Sequence, residues 1–197
     1  MSVVSPQPAV AVTASQRDRR DRILRAATEL LEQREYERIQ IRDVADAAGV
    51  ALGTLYRYFP SKEQLFAHVL LEWGARFPVR GAERGGTDAQ RLERALQAAV
   101  RAFERRPNFF RLIAVLEVVG EEQVATPYAD YSDGFKGALR STLRDVDPED
   151  VEIITTMASA LLGQLLRSWS HGRLSAAEVH RRLADGVRIL FDGPRVA

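Results

Sequence analysis

The stretch Ile41-Arg42-Asp43-Val44-Ala45-Asp46-Ala47-Ala48-Gly49-Val50-Ala51-Leu52-Gly53-Thr54-Leu55-Tyr56-Arg57-Tyr58-Phe59-Pro60-Ser61-Lys62 holds two short helical patterns hinged on a glycine. Ala45, Gly49, Val50 and Leu55 carry the spacing of a helix-turn-helix. A small residue lets the helices approach, glycine makes the turn in a left-handed conformation, and two apolar residues lock the second helix. The pattern predicts one helix over 41–48 and another over 52–58. Phe59-Pro60 ends the second, because a residue before proline is biased out of the helical region, and Ser61 can cap the next helix. Ser61 with Gln64 has the pattern of a capping box ahead of Leu65, Phe66, Val69 and Leu70.

Such spacing alone occurs in many helix pairs, and the side chains are what point to nucleic acid. Only Leu55 and Phe59 face a core cleanly, whereas Thr54, Tyr56, Arg57 and Tyr58 offer three hydroxyls and a guanidinium from barely two turns. That set suits phosphate oxygens and base edges in a major groove, and Gly53 would let the backbone come close to a base. Lys62 sits in the first turn of its helix, where the macrodipole disfavours a cation. A bound phosphate would resolve the conflict; a solvated lysine is the plainer reading.

Outward from this stretch, apolar residues recur at helical spacing and no alternating β-branched run appears, so the fold class is all-α. A first helix is expected over 17–33, burying Ile23, Ala27, Leu30 and Leu31, and Tyr36 and Ile39 lead into the second. Beyond the helix-turn-helix, Pro78, Gly81, Gly85 and Gly86 mark a connection. Helices are expected from Thr87 or Asp88 to Arg105, from Pro107 to Val119, from Pro127 to Arg144, from Pro148 to His171 and, capped by Ser175 with Glu178, to Phe191. The organisation is a loose tail over 1–14, a helix-turn-helix unit over 15–73 and a larger helical unit over 74–197.

Composition narrows the chemistry. With 197 residues, 46% of them hydrophobic, the chain can build substantial cores. Cysteine is absent, which excludes disulfides and thiolate sites and fits a cytoplasmic location. Charges interrupt every candidate helix, so no membrane span is expected. The net charge of +1, and ten basic against ten acidic residues over 15–72, give no global case for nucleic acid. Arg17, Arg19, Arg20, Arg22 and Arg25 nonetheless cluster near the start, ahead of Glu29, Glu32, Glu35 and Glu37.

Taken together, Ile41-Arg42-Asp43-Val44-Ala45, Gly49-Val50 and Gly53 through Glu63 resemble the signature of the tetracycline-repressor family, with the likeness running over about residues 18–70. The resemblance implies an N-terminal three-helix helix-turn-helix domain followed by a helical effector-binding and dimerisation domain. It implies homodimers that place two recognition helices in successive major grooves of a pseudo-palindromic operator. By motif position, Arg42 falls at a base-contacting place and Gln40 and Ile41 begin the positioning helix. Leu52, Gly53, Thr54, Tyr56 and Arg57 occupy the reading surface, and Tyr58 and Lys62 fall where phosphate is contacted. Ala51 stands where many relatives cap the recognition helix with a serine-like residue, and Leu52 replaces a polar reader, with a thymine methyl as its candidate partner.

The resemblance further implies dimerisation through the last two long helices. An effector cavity is expected among the middle helices, walled by Phe103, Phe109, Phe110, Leu112, Leu116, Tyr128, Tyr131, Phe135, Met157, Leu161 and Trp169. Gln164 is either a polar contact in that cavity or an exposed bystander. The segment 165–190 faintly resembles actinobacterial repressors of steroid and fatty-acid breakdown, which raises a lipophilic, lipid-derived or acyl-coenzyme A effector. No cofactor or metal is expected.

Two rival readings stay open. An enzyme has little support, since His68, His171 and His180 are the only histidines, and neither a metal-ligand pair nor a phosphate loop appears. A lipid-binding helical adaptor that keeps the helix-turn-helix shape without binding DNA is favoured slightly by the zero local charge.

Overall fold

The computed structural model describes residues 14–75, 85–119 and 122–193. All regular elements among these residues are helical: α1 (Ala14–Gln33), a 3-10 turn (Tyr36–Arg38), α2 (Ile41–Ala48), α3 (Leu52–Tyr58), α4 (Lys62–Ala75), α5 (Asp88–Arg105), α6 (Pro107–Leu116), α7 (Glu122–Arg140), α8 (Pro148–Ser170) and α9 (Ala176–Asp192). Most of the expected tail and most of the Pro78–Gly86 connection lie outside the described residues.

Helix ends follow local chemistry. Gly49 closes α2 at φ 63° and ψ 44°, the left-handed position that glycine reaches without a Cβ penalty. Thr87 caps α5, Asp147 caps α8 ahead of Pro148, and Ser175 with Glu178 forms a full capping box at α9. At α4 only half of the expected box forms. Ser61 Oγ accepts from the Gln64 amide at 3.1 Å, while Gln64 Oε1 is buried without a partner instead of reaching back.

Three helices differ in their bounds from the sequence reading. α1 begins at Ala14 rather than Arg17, and α6 stops at Leu116 rather than Val119. α7 begins at Glu122, five residues before Pro127, and tolerates that proline inside it. It ends at Arg140 because Ser141 and Thr142 turn their hydroxyls onto the carbonyls of Ala138 and Leu139, both at 2.7 Å, a bond that competes with the helix ladder.

The core is continuous from the N-terminal helices into the larger bundle. Ile23, Ala27 and Leu31 of α1 are buried as expected, with Leu30 half-buried. Leu55 and Phe59 are fully buried, which stabilises the α3 region by roughly 1.5–3 kcal/mol per side chain. α4 joins the two parts: Trp73 packs between Phe103 of α5 and Phe109 of α6, at ring separations of 5.2 and 4.6 Å. A second tie runs from α6 to the end of α1, where Asn108 donates to the Leu31 carbonyl at 3.0 Å and Arg106 pairs with Glu32 at 2.8 Å.

Within the bundle, a buried charge network fixes the α7–α8 turn to the start of α5. Arg91 is 5% exposed and donates to the Thr142 carbonyl, to Asp88 and to Asp145. Asp88, also 5% exposed, accepts from the amides of Asp145 and Val146 at 2.8 and 3.0 Å. Every ionised oxygen and nitrogen so engaged offsets the cost of leaving water.

Candidate DNA interface and ligand cavity

α2 and α3 stand apart at one end, and their outer side holds most of the residues singled out from the sequence. α3 turns Leu55 fully inward, which leaves Gly53, Tyr56 and Arg57 exposed and Leu52 and Thr54 half-exposed. Tyr56 is 43% exposed. A Cβ built at Gly53 meets nothing within 4 Å, so the backbone there is open to close approach. Ala51, the residue before the helix, is exposed and makes no side-chain cap, leaving the first amides of α3 bare. Gln40 precedes α2, its amide bonded to Asp43 Oδ2 at 3.1 Å, with Ile41 half-buried behind it. Arg42 is exposed and pairs with no described carboxylate, since Asp43 is taken by Arg34 at 3.7 Å.

The two residues expected at phosphates are placed differently. Tyr58 is half-buried, with its hydroxyl buried and unpartnered and the Arg57 guanidinium 5.7 Å from its ring centre. Lys62 is drawn toward the 3-10 turn. Its ammonium donates to the Tyr36 carbonyl at 2.6 Å and lies 4.0 Å from the centre of the Tyr36 ring. The conflict with the macrodipole is therefore met by a carbonyl and an aromatic face inside the protein. Burial holds this amine below the usual lysine range, against the opposing pull of Glu63 and Glu37. The Tyr36 hydroxyl in turn donates to Glu63 at 2.8 Å, so the three side chains form one clasp.

Behind this surface, α4 carries His68, which burial and then Arg20 hold below the usual imidazole range, with Asp130 of α7 acting the other way. Arg20 itself spans α1 to α4, bonding Glu72 at 3.3 Å and His68 Nδ1 at 3.4 Å.

A half-open cavity of about 310 Å³ lies among α5, α6, α7 and α8, near the lower end of the range for small-molecule pockets. Of the expected walls, Phe103, Phe110, Tyr128, Tyr131 and Phe135 line it. Phe109, Leu112 and Leu116 are core instead, at 0%, 0% and 2% exposure. Met157, Leu161, Gln164 and Trp169 lie elsewhere because one side of a helix is set by its 3.6-residue period. α8 gives the cavity Thr156, Ser159, Gly163, Leu166 and Arg167, which leaves Met157 and Gln164 exposed and sets Leu161 against Gly186 of α9. The polar wall went unseen: Ser132, Lys136 and Ser159, with Glu117 between Tyr128 and Arg167, at 3.1 and 3.7 Å. The small-and-polar stripe over 156, 159, 160, 163 and 167 was the signal in the sequence that could have found it.

Tyr128 and Tyr131 are both held far above the usual phenol range, mainly by burial, and stay neutral donors. Among the described residues, no group of three or more His, Asp or Glu side chains could hold a metal ion, and no helix is long and apolar enough to cross a membrane.

An exposed helix-turn-helix on a helical bundle is the architecture of a DNA-binding transcriptional regulator. Comparison with known proteins agrees. Residues 23–69 match the model of bacterial regulatory proteins of the tetR family, and residues 85–190 match a tetracyclin repressor-like C-terminal domain. The HTH-type transcriptional repressor KstR of Mycobacterium tuberculosis is 33% identical over 181 residues, covering 90% of this chain and 82% of that one. KstR of Rhodococcus jostii is 32% identical over 184 residues, covering 92% and 87%. A TetR transcriptional regulator from Rhodococcus sp. RHA1 superposes with a TM-score of 0.74 at 27% identity, over 93% of this chain and all of the other. The transcriptional regulator FadR from Bacillus subtilis, solved in complex with stearoyl-CoA, shares the fold at a TM-score of 0.68 and 17% identity, over 89% and 99%. The chain belongs to the TetR family of helix-turn-helix transcriptional regulators.

Proposed function

We propose that this regulator is a repressor that binds a pseudo-palindromic operator as a homodimer and lets go when a lipophilic molecule occupies the bundle cavity. The observation that carries the reading is the outer side of α3, where Gly53, Tyr56 and Arg57 face solvent while the fully buried Leu55 and Phe59, helped by half-buried Leu52 and Tyr58, hold the helix down. Arg42, Thr54, Tyr56 and Arg57 read bases or their immediate surroundings, Leu52 meets a thymine methyl, and Gln40, Ile41, Ala51 and Gly53 set the approach of the backbone. Tyr58 reaches a phosphate only by turning its buried, unpartnered hydroxyl outward when DNA docks. Lys62 adds a second contact, since an ammonium has three donors and Tyr36 takes one.

Dimerisation through α8 and α9 is supported by the apolar side chains those helices leave outside. Ile153 is 58% exposed, Met157 50% and Ile189 46%, three of the five large hydrophobics most open to solvent among the described residues. A second copy with the same patch would cover them about a two-fold axis. Repression is supported by the identity to KstR, and a lipid-derived or acyl-coenzyme A effector by the mostly apolar cavity and by the stearoyl-CoA held in a protein of the same fold. The division near Trp73–Gly74 falls between the two segments matched by the family models. The chain would act on DNA in the cytoplasm.

The test is a fluorescence-anisotropy titration of the purified chain on duplexes enriched from a random pool, run beside Tyr56→Ala/Arg57→Ala. The doubly changed chain should keep its fold and lose at least ten-fold in affinity for the preferred duplex. Equal affinity of both chains would remove α3 from the interface.

A further inference from the structure

A second cavity of about 200 Å³ lies among α4, α5 and α7. Its walls are mostly small: Gly74 and Ala75 from α4, Ala95 and Ala98 from α5, Gly134 and Ala138 from α7. Tyr131 and Phe135, one turn apart on α7, line both this space and the main cavity, so their rings form the partition between the two. Tyr131 also rests on α4. A Cβ built at Gly74 would fall 2.5 Å from Tyr131 Cδ2, closer than side-chain carbons come, so the ring occupies the very room that glycine leaves. α4 is the helix that carries the DNA-binding unit, and α7 is the element packed most closely against it.

Charge gives the two spaces a direction. The main cavity has Lys136 and Arg167 in its wall against one carboxylate, Glu117, whereas the second has Asp130 and no cation in its lining. An anionic group is favoured in the first space and repelled from the second, which offers only apolar tail room.

We infer that the two spaces make one site for an elongated apolar ligand with an anionic end, and that Tyr131 is a length gate. A short ligand fills the first space and leaves DNA binding intact. A ligand long enough to enter the second displaces the ring from Gly74, shifts α4 and releases the operator. The ligand thereby gains its differential interaction with the two conformations, which any coupling to DNA requires. This inference rests on the repressor reading given above and adds which ligands relieve it, and how.

The test uses the full chain with saturated straight-chain acids from six to eighteen carbons, below their micelle concentrations, as free acids and as coenzyme A thioesters. Calorimetry reads ligand affinity, and anisotropy of a labelled preferred duplex reads release at ligand saturation. Affinity should tighten about four-fold per added methylene. Release should be absent at short lengths and set in at a threshold, whichever form binds, and the form that binds identifies the anion as carboxylate or phosphate. Alkanols of equal length should bind more weakly than the anionic series, and Lys136→Ala should weaken all anionic lengths alike.

Ala98→Leu, which fills the second space, should cost long ligands at least ten-fold in affinity and abolish their release while short ligands bind as before. Ala138→Leu reads the same space from the opposite wall should the first variant fail to fold. Tyr131→Ala should bind long ligands yet no longer release DNA. Release that tracks occupancy equally at every length, or long-ligand affinity untouched by both filling variants, would overturn the gate while leaving the repressor reading intact. Failure of the chain to bind any duplex would overturn the repressor reading and the gate with it.

Discussion

Replacing Lys62 with methionine keeps the stem that covers Tyr36 and removes only the ammonium. Three quantities set the outcome. The charge-assisted bond to the Tyr36 carbonyl, 2.6 Å long, contributes about 1.5–3 kcal/mol when well buried and less at this partly exposed site. The ring contact at 4.0 Å contributes about 0.5–1 kcal/mol. Against these, removing a cation from the first turn of α4 returns about 0.3–1 kcal/mol. The Tyr36 carbonyl is not orphaned, because the Ile39 amide still donates to it at 3.1 Å. The balance is a loss of about 1–2 kcal/mol, or a fall in melting temperature of about 2–8 °C for a chain of this size. Differential scanning calorimetry on Lys62→Met and Lys62→Arg reads the shift directly. Duplex affinity against salt then separates the two roles of the residue, because loss of one phosphate contact lowers the log–log slope by about one. A melting temperature unmoved by Lys62→Met would refute the clasp, and a reduced salt slope beside it would show that the lysine belongs to DNA alone.

Other changes have expected signs. Tyr58→Phe removes a buried hydroxyl with no partner, so it should leave stability unchanged or raise it by up to about 1 kcal/mol while weakening operator affinity evenly across sequences; a loss of stability would mean the hydroxyl is already bonded. Arg42→Ala should relax preference at particular base pairs by about 1–3 kcal/mol each, read by competition with base-substituted duplexes. Asp88→Ala strips one partner from buried Arg91 but leaves Asp145 at 3.0 Å, so calorimetry should show a loss of about 2–4 kcal/mol, and a loss below about 1 kcal/mol would mean that Asp145 and the carbonyls suffice. His68 has a folded pKa below the ordinary imidazole value, so the unfolded chain takes up its proton more readily. Its contribution is complete above about pH 6.5 and is lost as the pH falls below that; His68→Gln should flatten that part of the stability profile.

The α2–α3 end was legible because local rules decide it. Gly49, Pro60 and the isolated apolar pair Leu55 and Phe59 set both short helices, and the exposure of Tyr56 and Arg57 follows from where Leu55 must point. Lys62 was legible only as a conflict with the helix dipole, because its partner, the Tyr36 carbonyl, lies 26 residues away and is brought close by tertiary packing. The cavity was half legible. Aromatic content pointed to Tyr128, Tyr131 and Phe135, which line this cavity, but the face that α8 turns to it depends on how that helix docks on α6 and α7, so Met157 and Gln164 lie outside it and Ser159 and Arg167, which line it, were not singled out. α7 was misplaced at both ends, since Pro127 reads as a start wherever packing is unknown, and the hydroxyls of Ser141 and Thr142 gave no local warning of the stop.

Selection of duplexes from a random pool by the purified chain, repeated at rising salt, bears most directly on α3 as a DNA reader used in symmetric pairs. Two inverted half-sites, centred a helical turn or more apart and bound with steeply falling affinity as salt rises, are the expected result. A pool that emerges without a shared motif, retained equally at every salt concentration or not at all, would contradict it.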